Sequence, residues 1–122
     1  MAGSTASDRA AIARVATHYF ESWFDGDPER MRAVLHPALS KRAALEPGGS
    51  SLSLDEDTAE EMVAHVSSGP RTSVERGLDV TVLDVSKDIA TVKVVSTPFV
   101  EYLHLARFGH RWLIVNALYE PA

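Results

Sequence analysis

The sequence contains no cysteine, no long apolar run and no cluster of basic residues. The lack of cysteine excludes disulfides and thiol chemistry and leaves the cellular compartment open. No segment approaches the roughly 20 apolar residues of a membrane span, and the small, polar start Met1–Ser7 lacks the apolar run of a secretory signal. The net charge is −5 and no basic run exceeds Lys41-Arg42, so nucleic acid is not an expected partner. These absences predict a soluble cytoplasmic protein with neither a membrane nor a nucleic-acid partner.

Motifs for metal binding and for nucleophilic catalysis are also missing. The five histidines show no i, i+4 pair with a carboxylate partner. There is no glycine-rich phosphate loop, and no Ser-His-Asp arrangement can be argued. We therefore predict no metal site and no bound cofactor.

The composition is that of an ordinary globular domain. The chain has 122 residues, of which 45% are apolar and 24% charged, enough for one hydrophobic core. We expect a single domain over residues 1–122, with residues 1–7 flexible.

Helical patterns occupy the first half of the chain. An apolar stripe predicts a first helix from about Asp8 to Asp25, and Gly26 is suited to end it. Asp27 is placed to cap a short second helix that stops at Pro37.

The next segment contains a short strand, a loop and a third helix. Residues 39–45 can form the strand, and residues 47–51 form a glycine-rich loop. Ser53 and Glu56 match a capping box, which predicts a third helix over residues 54–67.

The second half alternates between apolar and polar residues. This pattern predicts strands over residues 76–85 and 89–96, followed by a hairpin over 99–118 that turns at Gly109. Helices followed by an antiparallel sheet indicate an α+β fold.

The final hairpin carries polar residues among apolar ones. By the two-residue period of a strand, His104 shares a face with Tyr102, and Asn116 shares a face with Trp112. Burying a histidine or an amide costs a few kcal/mol unless it is hydrogen-bonded. Either the protein itself or a ligand must therefore satisfy these two groups.

Several segments together resemble the nuclear-transport-factor-2-like superfamily, and within it the putative lumazine-binding subgroup. These segments are Tyr19–Trp23 leading to Gly26-Asp27, Leu35–Pro37, Lys41-Arg42, Val82–Val85, Glu101–Leu105 and Trp112–Asn116. The resemblance implies a cone-shaped fold, in which a curved antiparallel sheet packs on three N-terminal helices and encloses a pocket. The superfamily includes ketosteroid isomerases, polyketide cyclases and limonene epoxide hydrolases.

The resemblance also implies roles for two residues. Tyr19 lies at a place similar to that of the oxyanion-stabilising tyrosine of the isomerases, and His104 falls about where they place a protonated aspartic acid. Each residue has a plain alternative, a core tyrosine and a hydrogen-bonded strand histidine. The isomerase base would fall near Ala43, where no carboxylate occurs, so steroid isomerisation is not expected. The hydrolase requires an Asp-Arg-Asp set, and Arg42 has no evident carboxylate pair.

Lys41 and Arg42 form a second candidate feature. If their strand alternates, only one of the two cations faces the pocket, where it would suit a carboxylate, an enolate or a flavin-like heterocycle. The alternative is a cation pair on the surface.

Three functions remain open. The first is a small-molecule-binding protein whose ligand is hydrophobic or heterocyclic. The second is an isomerase, cyclase or lyase that acts on a carbonyl substrate with Tyr19 and His104, whose side chains we expect to share one cavity. The third is a dimeric interaction module with a filled pocket. The residues predicted to bind the ligand are Tyr19, Trp23, Arg42, Tyr102, His104, Trp112 and Asn116.

We also expect a homodimer formed through the convex face of the sheet. Strand alternation predicts an apolar face that no helix covers, and such a patch seldom stays exposed on a monomer. Its predicted members are Thr91, Lys93, Val95, Leu103, Leu105, Arg107, Leu113 and Val115.

Overall fold

The computed structural model describes residues 6–72 and 75–122, and within them the chain forms three helices and six strands. The helices are α1 (Ala6–Asp25), α2 (Pro28–Val34) and α3 (Ala59–Val66). The strands are β1 (Leu35–Ala44), β2 (Leu54–Asp57), β3 (Leu78–Ser86), β4 (Ile89–Ser96), β5 (Phe99–Phe108) and β6 (Arg111–Pro121). The predicted α+β class is confirmed. Most of the segment expected to be flexible lies outside the described residues, and Ala6 and Ser7 already belong to α1.

The first helix ends, and the second begins, at the predicted signals, but α2 ends at Val34 and not at Pro37, because residues 35–37 already belong to β1. The buried stripe of α1 includes Ile12, Tyr19 and Phe24, and Gly26 follows the helix with a φ of +65°. The side chain of Asp27 then accepts a hydrogen bond from the backbone N–H of Arg30 at 3.1 Å, which caps α2.

The third helix begins later than predicted. Residues 54–57 form β2 rather than a first helical turn, and the capping box consists of Thr58 and Glu61 instead of Ser53 and Glu56. The sequence holds two capping signals five residues apart, and the pairing of residues 54–57 with β1 leaves only the second to begin a helix. β2 pairs with β1, and an Arg42–Glu56 ion pair at 2.7 Å joins the two strands.

The sheet is mixed rather than wholly antiparallel. Its strand order is β2-β1-β6-β5-β4-β3, so it remains open with β2 and β3 as edges. The β1–β6 pair is parallel, and the other four pairs are antiparallel. The helices lie on one side of this curved sheet, which we call the inner face. The opposite side is the outer face.

The predicted faces of β5 are reversed. Leu103 and Leu105 are buried in the core, whereas Tyr102 and His104 are exposed on the outer face. Both rows alternate equally well. The buried row contributes two leucines to the core, and its carboxylate, Glu101, is buried with them.

A bulge in β6 breaks the predicted alternation. Leu105 pairs with Ile114 and His104 pairs with Asn116, so Val115 is an extra residue in β6. Trp112 and Ile114 therefore point inward, whereas Asn116 lies on the outer face beside His104.

The predicted outer face is thus correct in part. Thr91, Lys93 and Val95 alternate with buried neighbours on β4 and lie on the outer face. Leu103, Leu105 and Arg107 belong to the opposite row of β5, and Leu113 is buried. The outer positions on β5 are taken by Tyr102, His104 and Phe108.

Two glycines with the same backbone angle provide a matched test of packing. Gly26 and Gly109 both have a φ of +65°, but a Cβ on Gly26 would lie 2.3 Å from the backbone carbon of Gly69, whereas one on Gly109 would meet nothing within 4 Å. We expect Gly109→Ala to cost about 1–2 kcal/mol, the penalty of a left-handed backbone. Gly26→Ala should cost clearly more, measured by urea unfolding. If the two variants lose the same free energy of unfolding, the Gly69-Pro70 backbone can move to accept the added methyl group without a further loss of stability.

Candidate functional site

Three ionisable side chains meet on the inner face, and we call them the inner site: Tyr19 on α1, Lys41 on β1 and Glu101 on β5. The hydroxyl of Tyr19 donates to Glu101 Oε2 at 2.7 Å. Lys41 Nζ donates to the Tyr19 hydroxyl, also at 2.7 Å, and lies 3.7 Å from Glu101 Oε2. The tyrosine hydroxyl is therefore a bridge between an amine and a carboxylate.

The sheet register explains how these residues come together. Glu101 lies on the same face of β5 as Leu103 and Leu105. Lys41 is paired with Ala117 of β6, which is paired in turn with Leu103. Lys41 is thus on the inner face two strands away from Glu101, and a long side chain spans that gap.

All three groups are removed from water. Tyr19 is 2% exposed and Glu101 1% exposed, while the side chain of Lys41 is 11% exposed. A buried carboxylate costs several kcal/mol unless it is paired and hydrogen-bonded. Glu101 obtains a hydrogen bond from Tyr19 and a nearby positive charge from Lys41. Within residues 6–72 and 75–122, no buried side-chain polar atom lacks a hydrogen-bond partner.

The surroundings keep both phenols of this region protonated. Burial, and then the charge and hydrogen bond of Glu101, raise the pKa of Tyr19 well above 10. The pKa of Tyr119 on β6 is also raised, first by burial and then by the carboxylates of Asp55 and Asp57. Tyr19 therefore remains a neutral hydroxyl that can donate and accept at the same time.

Aromatic rings separate the inner site from solvent. Lys41 Nζ lies 4.6 Å from the ring centroid of Tyr119 and 5.3 Å from that of Tyr19, within the range of cation–π attraction. The ring of Phe99 packs edge-on against Trp23 at 5.8 Å and against Tyr119 at 5.4 Å. Trp23, Phe99 and Tyr119 are each half-buried, and we call them the aromatic wall.

The cavity behind this wall is small. It measures about 20 Å³ and is lined by Tyr19, Phe20, Trp23, Lys41, Phe99 and Glu101. That volume holds about one water molecule and is far below the several hundred Å³ of a typical ligand pocket. A larger ligand can enter only if the side chains of the aromatic wall move.

The structure brings together only part of the predicted set. Tyr19 and Trp23 line the inner cavity. Lys41, not Arg42, is the cation that faces inward, since Arg42 is exposed and paired with Glu56. Trp112 is buried near the start of α1, with Asp8 and Ala11, about two helical turns from Tyr19.

The predicted cavity shared by Tyr19 and His104 is wrong. His104 lies on the outer face, where its Nδ1 is 3.3 Å from Nδ2 of Asn116, and Tyr102 is exposed on the same face. The sheet therefore separates these three residues from Tyr19. His104 is exposed, so it carries no burial cost that a ligand would need to offset.

The sequence interpretation missed Glu101, Phe99 and Tyr119. A signal for Glu101 was present, since it lies between Phe99 and Leu103 in a row of alternate residues that is otherwise apolar as far as Leu105. A carboxylate at such a position either breaks the strand pattern or is a buried group with partners.

The outer face carries many exposed apolar side chains. They include Leu54, Leu83, Ile89, Val95, Tyr102, Phe108 and Leu118. Two shallow grooves run between them. One of about 320 Å³ contains Ile89, Thr91 and His104, and one of about 300 Å³ contains Val100, Tyr102 and Leu118.

The described part of the chain, residues 6–72 and 75–122, contains neither a cluster of potential metal ligands nor a membrane-spanning helix. No three His, Cys, Asp or Glu side chains in it are clustered as metal ligands. None of its helices is both long and apolar enough to cross a membrane.

Three helices on one side of a curved, open sheet form the fold of the nuclear-transport-factor-2-like (NTF2-like) class of proteins. Within that class, the family described as "Putative lumazine-binding" matches residues 7–120, and the chain belongs to this family.

Solved structures agree on the fold. An NTF2-like protein of unknown function from Silicibacter pomeroyi has a TM-score of 0.80 at 18% identity, covering 98% of this chain and 100% of that one. An NTF2-like protein of unknown function from Shewanella baltica has a TM-score of 0.74 at 14% identity, with 98% of each chain covered. A cystatin-like-fold protein from Nostoc punctiforme has a TM-score of 0.72 at 13% identity, covering 97% of this chain and 93% of that one. These identities establish the fold alone. No curated protein matches the sequence.

The raised pKa of Tyr19 predicts a loss of stability in alkali. The unfolded tyrosine ionises near pH 10 and the folded one only at higher pH. The contribution of the protonated Tyr19 to the free energy of unfolding is therefore fully present below about pH 10. It is lost as the pH rises above that value, at up to about 1.4 kcal/mol per pH unit. Urea unfolding between pH 8 and 11.5 gives the free energy of unfolding as a function of pH. In Tyr19→Phe, this free energy should not show the additional decrease above pH 10. Below pH 9 the free energies of unfolding of the two proteins should change with pH in the same way. If they also change in the same way above pH 10, the prediction is contradicted.

Proposed function

We propose that the protein binds a small, flat heterocyclic or carbonyl-bearing molecule at the inner site. The observation that carries this proposal is the burial of three ionisable side chains, Tyr19, Lys41 and Glu101, at one point of the interior. Apolar residues of similar size usually stabilise a core as well as a buried ion pair, or better. Fold stability alone therefore does not account for the network, and a ligand that uses it does.

The donors and acceptors of the inner site suit a heterocycle with adjacent carbonyl and N–H groups. The Lys41 ammonium and the Tyr19 hydroxyl can donate to a ring carbonyl, while Glu101 can accept from a ring N–H. The family description supports the same class of ligand. The half-buried rings of Trp23 and Phe99 provide apolar surfaces on which a flat ring can stack after they move aside.

Titration of the protein with lumazine, followed by its fluorescence, tests this proposal. We expect saturable binding that Lys41→Met weakens about 10–100-fold, the loss of one hydrogen bond to a charged group. The matched control is Arg42→Met, which removes the neighbouring cation from the outer face and should leave the affinity unchanged. The proposal would be contradicted if lumazine did not bind, or if the two variants changed its affinity equally.

Tyr19 and His104 cannot act together on one substrate, as the hypothesis of an isomerase, cyclase or lyase requires. A substrate held by Tyr19 lies on the inner face, and His104 lies on the outer face. Glu101, which touches Tyr19 directly, is the titratable partner that a reaction at this site would use.

We further propose that the protein is a homodimer formed through the outer face. Exposed apolar side chains on five of the six strands support this, including Ile89, Tyr102 and Leu118. A two-fold pairing would cover the same patch on both copies.

A charge on the outer face should therefore separate the copies without unfolding them. In sedimentation at micromolar concentration, we expect a dimer for the wild type and a monomer for Leu118→Lys, because the interface would then bury a charge on each copy. Ala64→Lys, on an exposed position of α3, should remain dimeric. A monomeric wild type would refute this assignment.

A further inference from the structure

We propose that Lys41 is an amine nucleophile that forms a Schiff base with a small, neutral aldehyde or ketone at the inner site. The inference deepens the proposed function, because it rests on ligand access to that site and names the reactive class of ligand. Its basis is the direction of two consecutive hydrogen bonds, from Lys41 Nζ to the Tyr19 hydroxyl and from that hydroxyl to Glu101.

These two bonds give the lysine a route to its neutral form. An ammonium group is not a nucleophile, so a reactive lysine must pass a proton to a base. When Lys41 gives a proton to the Tyr19 oxygen and Tyr19 gives its own proton to Glu101, the result is an amine, a tyrosine hydroxyl and a carboxylic acid. None of the three side chains carries a charge after this double transfer, and Tyr19 is never ionised. The raised pKa of Tyr19 agrees with that role.

The subsequent reaction balances without any further reagent. Lys41 Nζ bonds to the carbonyl carbon, the carbonyl π bond breaks, and a proton moves from nitrogen to oxygen to give a carbinolamine. Glu101 then returns its proton, through Tyr19, to the hydroxyl, which leaves as water while the nitrogen forms a protonated imine. Overall, a lysine ammonium and a carbonyl compound give a protonated imine and one water. The positive charge stays beside Glu101, where the ammonium was.

The dimensions and charges of the site restrict the carbonyl compound. The cavity of about 20 Å³ admits little more than the carbonyl group itself or the water that departs. On β2, Asp57 pairs with Lys41 and Asp55 pairs with Ala43, so both acidic residues lie on the face of the sheet that carries Lys41. These two negative charges disfavour a second carboxylate, so we assign the site to neutral aldehydes and ketones rather than keto acids.

Reductive trapping with propanal and cyanoborohydride at pH 7 tests the inference, because the chain has only three lysines. Lys87 is exposed in the β3–β4 turn and Lys93 is on the outer face, so both serve as references within the same molecule. Peptide mass spectrometry gives the rate of alkylation at each lysine. Simple shielding predicts that buried Lys41 reacts more slowly than Lys87. The Schiff-base mechanism predicts that it reacts faster.

Two variants identify the source of any enhanced rate. Tyr19→Phe interrupts the route from Lys41 to Glu101 and should slow alkylation of Lys41 on the order of 100-fold, the usual contribution of acid–base assistance. Glu101→Gln retains the shape and should slow it similarly, while Lys87 keeps its rate in both variants. The comparison of Lys41 with Lys87 in the wild type needs no variant and remains decisive if a variant fails to fold.

The result is separable from the lumazine titration. If lumazine binds but Lys41 is alkylated more slowly than Lys87, the Schiff-base inference is overturned and the binding proposal stands. If Lys41 is the fastest lysine and lumazine does not bind, the heterocycle is the wrong ligand and the inference stands. If Lys41 is alkylated no faster than Lys87 and lumazine does not bind, both are overturned.

Discussion

The buried carboxylate of Glu101 is the constraint around which the interior is arranged. It lies in the centre of the sheet with 1% of its surface exposed, and it is tolerable only because α1 and β1 bring a hydroxyl and an ammonium group to it. This requirement fixes the rotation of α1, since Tyr19 must face β5. It also fixes which of the two adjacent cations on β1 turns inward. The fold and the polar site are therefore one arrangement.

The orientation of β5 also determines which residues lie on the outer face of the sheet. Once Glu101, Leu103 and Leu105 point toward α1, Tyr102 and His104 must point away from it. The sheet thus carries a small polar site on one side and a broad apolar surface on the other. The two proposed activities, ligand binding and self-association, use opposite sides and do not compete for residues.

Local signals in the sequence were sufficient for most of the elements, but neither for β2 nor for the faces of the last two strands. The stripe of α1, the Asp27 cap and the turn at Gly109 depend on near neighbours, and the structure has each of them. Both rows of β5 alternate, so only packing against α1 distinguishes them. The extra residue Val115 has no signature in a two-residue period, yet it moves Asn116 to the outer face. The competing capping boxes near β2 were decided by the distant partner strand β1, which no local pattern reports.

Because β1 pairs with β6 in parallel, successive hairpins alone cannot complete the sheet. β6 fits between a β1–β2 ribbon and a β3–β4–β5 meander, and loop closure over most of the chain must precede that docking. A nascent chain that has not yet extruded β6 holds two partial sheets, with Lys41 on one and Glu101 on the other. The edges of β1 and β5 are then both unpaired, and β6 is the strand that pairs with each of them in the folded protein. Ribosomal synthesis thus passes through a stage vulnerable to wrong pairing, which ends when the last strand joins the halves.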